Sequence, residues 1–186
     1  MIHHFFNTLH FIPDYHENTV CDIDFKALYQ NGIRLLLIDL DNTLIPYDQS
    51  IPHQELHDFF EGLNTMGFET IIVSNNHKAR IKLFANAVET PFIASAKKPL
   101  KRGFKKAIKL AKKSYKKEEI CMIGDQIMTD VYGAKRLKLQ VVLVLPIKKK
   151  SEKWYTKVNR YLENRILRRI EKEHPNTYQN LDLKRR

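Results

Sequence analysis

The stretch IRLLLIDLDNT, residues 33–43, decides the fold class. Its first half is an apolar run rich in leucine, as expected of a strand that is buried on both faces of a parallel sheet. Two carboxylates, Asp39 and Asp41, then leave this run at positions i and i+2, and Thr43 follows. Acids buried at the end of a core strand need a cation or hydrogen-bond donors nearby. A turn that merely caps the strand would explain one Asp–Asn pair better than it explains two carboxylates and a threonine.

Outward from this stretch, short apolar runs alternate with segments of helical periodicity. The other runs are Thr70–Ser74, Pro91–Ala94, Ile120–Gly124 and Val141–Leu145. The periodic segments are His53–Met66, Lys78–Val88 and Leu100–Lys113. Strands that alternate with helices indicate βαβ units. The sequence therefore predicts an α/β fold with a three-layer, doubly wound parallel sheet.

The length of 186 residues suits a single domain. We expect this domain to span residues 1–173, with an N-terminal extension (1–30), a core (31–147) and a C-terminal amphipathic helix (151–173). The helix shows apolar residues at a spacing of four, namely Trp154, Val158, Leu162, Ile166 and Ile170. We expect residues 174–186 to form a frayed basic tail.

Each polar cluster of interest follows one of the predicted strands. Asp39–Thr43 follows the first, Ser74–Asn76 the second, Lys97–Lys98 the third and Asp125 the fourth. In an open parallel sheet, ligands bind outside the carboxyl ends of the strands. The four clusters are therefore expected to meet at one edge of the sheet.

These clusters resemble the four motifs of the haloacid dehalogenase (HAD) superfamily, in the same order. Asp39-Leu40-Asp41-Asn42-Thr43 matches the first motif, D-x-D-x-[TV]. Ser74 resembles the second motif, Lys98 the third, and Gly124-Asp125-Gln126 with Asp130 the fourth. The resemblance implies a phosphatase with Asp39 as nucleophile, and it implies that the Asp41 backbone carbonyl binds the metal.

The residue types fit this chemistry on physical grounds. A carboxylate that attacks a phosphate dianion meets repulsion, so a divalent cation is expected between them. Mg²⁺ prefers oxygen ligands, and we expect Asp39 and Asp125 to bind it through their carboxylates and, as the resemblance implies, Asp41 through its backbone carbonyl. Asp130 is expected to be a ligand or an acceptor that orients water. Asp41 is expected to protonate the leaving group and then to activate water. Thr43, Ser74, the backbone amide of Asn75 and Lys98 are expected to bind the phosphoryl oxygens.

The gaps between the motifs bear on the substrate. Asp41 and Ser74 are 33 residues apart, and Ser74 and Lys98 are 24 residues apart. Neither gap leaves room for the cap domain that many members of the superfamily carry, so we expect a capless enzyme whose substrate stays largely outside.

A finer resemblance points to HAD subfamily IIIA and its bacterial homologues of mitochondrial phosphatidylglycerophosphate phosphatase. Asp22-Ile23-Asp24, Thr129-Asp130, Asn159-Arg160 and Glu163 extend the pattern. The resemblance implies hydrolysis of phosphatidylglycerophosphate to phosphatidylglycerol. Alternatives are a phosphoprotein, nucleotide or sugar-phosphate substrate, or a basic module that binds nucleic acid or the ribosome without catalysis.

Charge and cysteine content set the expected surroundings of the protein. The net charge is +11, and Lys97–Lys117 holds 11 basic and no acidic residues. This basic face suggests contact with a membrane surface, a nucleic acid or a polyanionic substrate, unless the lysines only keep the protein in solution. The finer resemblance implies that the partner is an anionic lipid rather than a nucleic acid. Cys21 and Cys121 form no disulfide or metal pattern. We therefore expect a cytoplasmic protein that contacts the inner face of the membrane, and the apolar segment Met1–Pro13 either inserts in lipid or packs on the domain.

Overall fold

The computed structural model describes residues 7–147 and 154–186. Six strands form one parallel sheet in the order β1-β6-β5-β2-β3-β4. They are β1 (Tyr15–Glu17), β2 (Leu35–Ile38), β3 (Glu69–Val73), β4 (Phe92–Ile93), β5 (Ile120–Gly124) and β6 (Gln140–Val144). The helices are α1 (Phe25–Gln30), α2 (Gln54–Thr65), α3 (Lys78–Ala87), α4 (Lys101–Leu110), α5 (Tyr132–Lys135), α6 (Trp154–Glu173) and α7 (Pro175–Asn180). The predicted doubly wound α/β fold is confirmed.

The central strand β2 is buried on both faces because its residues alternate between two cores. Leu36 and Ile38 pack with apolar residues of α1, α2 and α3. Leu35 and Leu37 point to the other face, where they pack with residues of α4, α5 and α6. A strand in this position must be apolar throughout, which is why the run at 33–40 is so clear a signal.

The prediction of five strands omitted one. Tyr15–Glu17 lies within the predicted N-terminal extension, yet it pairs in parallel with β6 and forms an edge of the sheet. The tripeptide is short and polar, so its pattern carries no strand signal. In the same segment Phe11 is buried and its ring stacks on Tyr132 at 4.5 Å. The described part of the apolar N-terminal segment therefore packs on the domain; residues 1–6 lie outside the described residues.

The prediction of a frayed tail at residues 174–186 is wrong. This segment contains α7 and a turn of 3-10 helix, Leu183–Arg185. The side chain of Leu183 is fully buried in the core that includes Leu167 and Ile170 of α6. The composition is polar apart from a few residues, so its pattern did not reveal that Leu183 is buried and that Tyr178 and Leu181 pack against the same core.

Helix α6 matches the predicted C-terminal helix. Leu167 and Ile170 are buried, and Ile166 packs against the same core. The side chains of Trp154 and Val158, and residues Ser151–Lys153, lie outside the described residues. Among the helices that are described, none has both the length and the apolar composition needed to cross a bilayer.

Candidate active site

The predicted site residues meet at the carboxyl edge of the sheet. Asp39 and Asp41 follow β2, Ser74 and Asn75 follow β3, and Lys98 follows β4. Asp125 follows β5 directly, and Asp130 lies on the helical turn Ile127–Val131 behind it. Neighbouring parallel strands end at the same edge, so the sheet brings together residues up to 91 positions apart. The cavity at this edge has a volume of about 50 Å³ and is lined by Asp39, Asp41, Tyr47, Ser74, Asn75, Asn76, Lys98, Gln126, Thr129 and Asn159.

Lys98 lies between two buried carboxylates. Its Nζ is 2.7 Å from Oδ1 of Asp39 and 2.7 Å from Oδ1 of Asp130. Burial by itself lowers the pKa of Lys98, but the charges of Asp130 and Asp39 outweigh this effect and raise it above its ordinary value. Lys98 is therefore a permanent cation beside Asp39.

Asp39 lies near three other carboxylates, and the single positive charge of Lys98 does not outweigh their effect together with that of burial. Burial raises the pKa of Asp39 well above its ordinary value, and although Lys98 opposes this, repulsion by Asp130, Asp125 and Asp41 adds to it. A further cation at this point would favour the ionised, nucleophilic form of Asp39.

Asp125 is held from behind by an arginine of α6. Arg160 pairs through Nη2 with Oδ2 of Asp125 and donates from Nη1 to the Asp125 carbonyl at 2.8 Å. Thr43 Oγ donates to Oδ1 of Asp125 at 3.4 Å. Burial raises the pKa of Asp125 to about 6, although Arg160 opposes the shift.

Asp41 accepts hydrogen bonds from three side chains. Ser74 Oγ and Asn76 Nδ2 donate to Oδ2, each at 3.2 Å. Arg80 Nε donates to Oδ1 at 2.8 Å, and its other nitrogens bond to Ser50 Oγ and the Pro46 carbonyl. The carboxylate of Asp41 is thus oriented by β3, α3 and the loop that follows β2.

Asn75 positions Lys98 through the backbone. Its Oδ1 accepts from the Lys98 N–H at 2.6 Å, and its Nδ2 donates to the Lys98 carbonyl at 3.0 Å. This paired contact fixes the loop that carries Lys98 against the end of β3. The predicted role of the Asn75 backbone amide in phosphate binding stays a prediction.

Three comparisons with known proteins bear on this arrangement. The model of the haloacid dehalogenase-like hydrolase family matches residues 24–138. The chain belongs to this family. It is also 34% identical over 163 residues to a probable phosphatase, YqeG, of Bacillus subtilis (strain 168), and the match covers 88% of this chain and 93% of the relative. An uncharacterised protein from Listeria monocytogenes serotype 4b shares the fold, with a TM-score of 0.50 and 18% identity over 63% of this chain and 84% of that chain.

The acidic cluster of this HAD hydrolase fits a divalent metal ion. Asp39, Asp125 and Asp130 are buried, and one oxygen of each lies within 4.8 Å of the others. Three hard carboxylate oxygens around one point are the donors that Mg²⁺ prefers. Asp41 is directed to Ser74, Asn76 and Arg80 through its carboxylate, so its predicted part in metal binding would have to use the backbone carbonyl.

Sequence reasoning did not assign roles to several residues of the HAD site. Asn76 was only part of a polar cluster, and Arg80 carries no motif because its partner, Asp41, is 39 residues away. Arg160 and Glu163 were part of a family pattern without a stated role. Arg186 was placed in the tail, yet it bonds to the Asp125 carbonyl and to Glu163. Arg80 is the third residue of α3, the helix that begins shortly after Ser74. This position is the one sequence signal that could have identified Arg80 as a residue of the site.

Proposed function

We propose that this HAD-type phosphatase hydrolyses a phosphate monoester through an aspartyl-phosphate on Asp39, and that its substrate is phosphatidylglycerophosphate at an anionic membrane surface. The observation that carries the reaction is the placement of a buried Asp39 beside the Lys98 ammonium, with Asp41 lining the same cavity. The proposed nucleophile, a cation and a second carboxyl group thus line one small cavity.

The residues divide the reaction into two steps. In the first, a carboxylate oxygen of Asp39 attacks phosphorus, the bond to the leaving oxygen breaks, and Asp41 gives that oxygen a proton. In the second, Asp41 takes a proton from water, the water oxygen attacks phosphorus, and phosphate leaves as the Asp39 carboxylate is restored. Lys98 lies where it can stabilise charge on the transferred group.

Asp39, Asp125 and Asp130 would hold Mg²⁺, with the Asp41 backbone carbonyl as a further ligand. The ion would reduce the repulsion between the attacking carboxylate and the phosphate dianion. Ser74, Asn75 and Thr43 are proposed to bind the phosphoryl oxygens. The Ser74 hydroxyl donates to Asp41, and because it has a single proton to donate, it would have to turn from Asp41 to bind a phosphoryl oxygen.

The size of the cavity supports a substrate whose bulk stays outside. A volume of about 50 Å³ is on the order of the space of a few water molecules, which suits a phosphoryl group but not a large leaving group. One helix, α2, lies between β2 and β3, and one helix, α3, between β3 and β4. These short connections support a capless, open site.

The surroundings of the cavity support a lipid leaving group. Large apolar side chains are exposed on four segments next to site residues, namely Ile51 (72% exposed), Leu100 (54%), Ile147 (48%) and Tyr161 (64%). Each of these side chains is linked to a residue of the site. Ile51 follows Ser50, which bonds to Arg80, and Leu100 lies two residues after Lys98. The N–H of Ile147 donates to the Asn42 carbonyl, and Tyr161 follows Arg160. Apolar side chains of this kind can enter the boundary between headgroups and acyl chains.

Exposed cations lie near these four apolar side chains (Ile51, Leu100, Ile147 and Tyr161), which we call the rim. Lys97 precedes Lys98, and α4 begins just beyond it with four exposed basic residues, Lys101, Arg102, Lys105 and Lys106. Each lysine or arginine near an anionic bilayer contributes about 1 kcal/mol to binding. The combination of apolar and basic side chains beside the cavity therefore supports a lipid substrate in an anionic membrane rather than a soluble phosphate ester.

The test of the reaction is phosphate release by the full chain with Mg²⁺. Phosphatidylglycerophosphate in mixed micelles is compared with nucleotide, sugar-phosphate and phosphopeptide substrates, with Asp39→Asn as the control. We expect the lipid to be the best substrate and Asp39→Asn to lose nearly all turnover. A faster soluble ester would refute the lipid substrate, and equal turnover by Asp39→Asn would refute the nucleophile.

Membrane contact has a separate test. Sedimentation with vesicles that contain anionic phospholipid is expected to fall for the double variant Ile51→Ser/Leu100→Ser. Met66→Ser is the matched control, because Met66 is 49% exposed but ends α2 at the opposite edge of the sheet. Equal loss by both variants would contradict a specific role of the rim.

A further inference from the structure

Two arginines outside the four motifs converge on the backbone of Asp125. Arg160 of α6 donates from Nη1 to the Asp125 carbonyl at 2.8 Å, and Arg186 donates to the same carbonyl from Nη2. Arg160 also pairs with Oδ2 of the Asp125 side chain. Both the peptide and one carboxylate oxygen of Asp125 are therefore held by guanidinium groups.

Glu163 connects these two arginines. Its side chain is buried, with Oε1 accepting from Arg186 Nε at 2.9 Å and Oε2 lying 3.3 Å from Arg160 Nη1. A buried carboxylate is costly unless it is paired, and here two cations compensate it. Because a guanidinium group is planar and donates in fixed directions, the shared partner sets the orientation of both arginines.

The position of Arg186 depends on the C-terminal segment. Its Nη1 donates to the Val144 carbonyl at the end of β6, at 2.6 Å. Leu183 is buried three residues earlier, and the Leu181 carbonyl lies 2.9 Å from Nδ1 of His16 on β1. Arg185 bonds to Asn18 Oδ1 at 2.7 Å. The segment is thus attached to β1 and β6, next to the strand that carries Asp125.

We propose that Arg186, through Glu163 and the Asp125 carbonyl, is a positioning residue for the divalent cation. This inference rests on the cation binding in the proposed function. With Oδ2 of Asp125 engaged by Arg160, Oδ1 is the oxygen that remains for a cation; it accepts the 3.4 Å hydrogen bond from Thr43. Groups that orient metal ligands in this way typically change metal affinity or activity by about 10- to 100-fold when they are removed.

The experiment measures Mg²⁺ binding by calorimetry on the full chain, without substrate. Arg186→Gln is expected to raise the dissociation constant for Mg²⁺ about 10- to 100-fold. Glu163→Gln is expected to raise it as well, because it releases both arginines from their common partner. Arg186→Lys keeps the charge but loses the planar fork, so it is expected to restore only part of the affinity.

Arg185→Gln is the matched control. It removes the neighbouring guanidinium, which attaches the same segment to Asn18, and its Mg²⁺ affinity is expected to stay within about twofold of the wild type if the effect of Arg186 runs through Asp125. Affinity equal to wild type in Arg186→Gln would overturn the inference, as would an equal loss in Arg185→Gln. Should Arg186→Gln fail to fold, Arg186→Lys and Glu163→Gln decide the question by the same measurement. Absence of Mg²⁺ binding by the wild type would instead refute the metal in the proposed function.

Discussion

Replacing Gly103 by alanine is expected to destabilise this protein, although alanine is the better helix former. Gly103 lies within α4, where alanine is intrinsically favoured by about 1 kcal/mol. A Cβ at this position would lie 2.2 Å from the carbonyl oxygen of Ala96 and 2.9 Å from both its carbonyl carbon and its Cβ. Two of these contacts are with backbone, which cannot rotate away as a flexible side chain does.

The loop that carries Ala96 is also poorly able to move. The Ala96 N–H donates to the Ser74 carbonyl at 3.0 Å, and Lys98 is held by the paired contacts with Asn75. Overpacking of this kind typically costs about 1–3 kcal/mol. The 2.2 Å contact with a carbonyl oxygen puts the cost in the upper part of this range, about 2–3 kcal/mol. After the propensity gain of about 1 kcal/mol is subtracted, we expect Gly103→Ala to lower the free energy of unfolding by about 1–2 kcal/mol.

Gly62→Ala is the matched control, because Gly62 lies within α2 and its added Cβ would meet no atom within 4 Å. It should raise the free energy of unfolding by about 0.5–1 kcal/mol. Urea unfolding followed by circular dichroism measures both values. Because the clash displaces the loop that carries Lys98, turnover should also fall by at least about tenfold in Gly103→Ala alone. Unchanged or higher stability of Gly103→Ala would refute the reasoning.

Three further predictions concern single side chains. In the native protein a thiol reagent at pH 8 should modify the exposed Cys21 and spare Cys121, since burial raises the pKa of Cys121 to about 12; two thiols reacting at equal rates would contradict this. Leu183→Ala should lower the free energy of unfolding by about 2–5 kcal/mol in urea, whereas a value near zero would mean that the C-terminal segment does not contribute to the core. Asp41→Asn should slow formation of the Asp39 phosphoryl-enzyme from an alkyl phosphate by about 10²–10⁴-fold but from p-nitrophenyl phosphate far less, because nitrophenolate leaves without a proton; equal losses in a rapid-quench assay of this first step would argue against Asp41 as the acid.

The clearest parts of the fold could be predicted because local pattern and tertiary environment agree. The strand Leu35–Ile38 is apolar throughout since β2 is buried on both faces, and the carboxylates of Asp39 and Asp41 follow where it ends. Chain order then places Ser74, Lys98 and Asp125 at the same edge, because parallel strands share their carboxyl ends. The strand Tyr15–Glu17 could not be predicted, since three mostly polar residues become a strand only by pairing with β6.

The amino-acid sequence by itself determined the α/β class, the order of the principal strands and helices, and the residues that meet at the cavity. Those features follow from local periodicity and from the shared edge of a parallel sheet. Only the tertiary structure decided what holds these residues in place: Arg80 on Asp41, Asn75 on the backbone of Lys98, and Arg186 with Glu163 behind Asp125. These contacts join residues that are 23 to 61 positions apart in the chain. Their specificity comes from geometry in three dimensions, which no repeat or spacing in the sequence encodes.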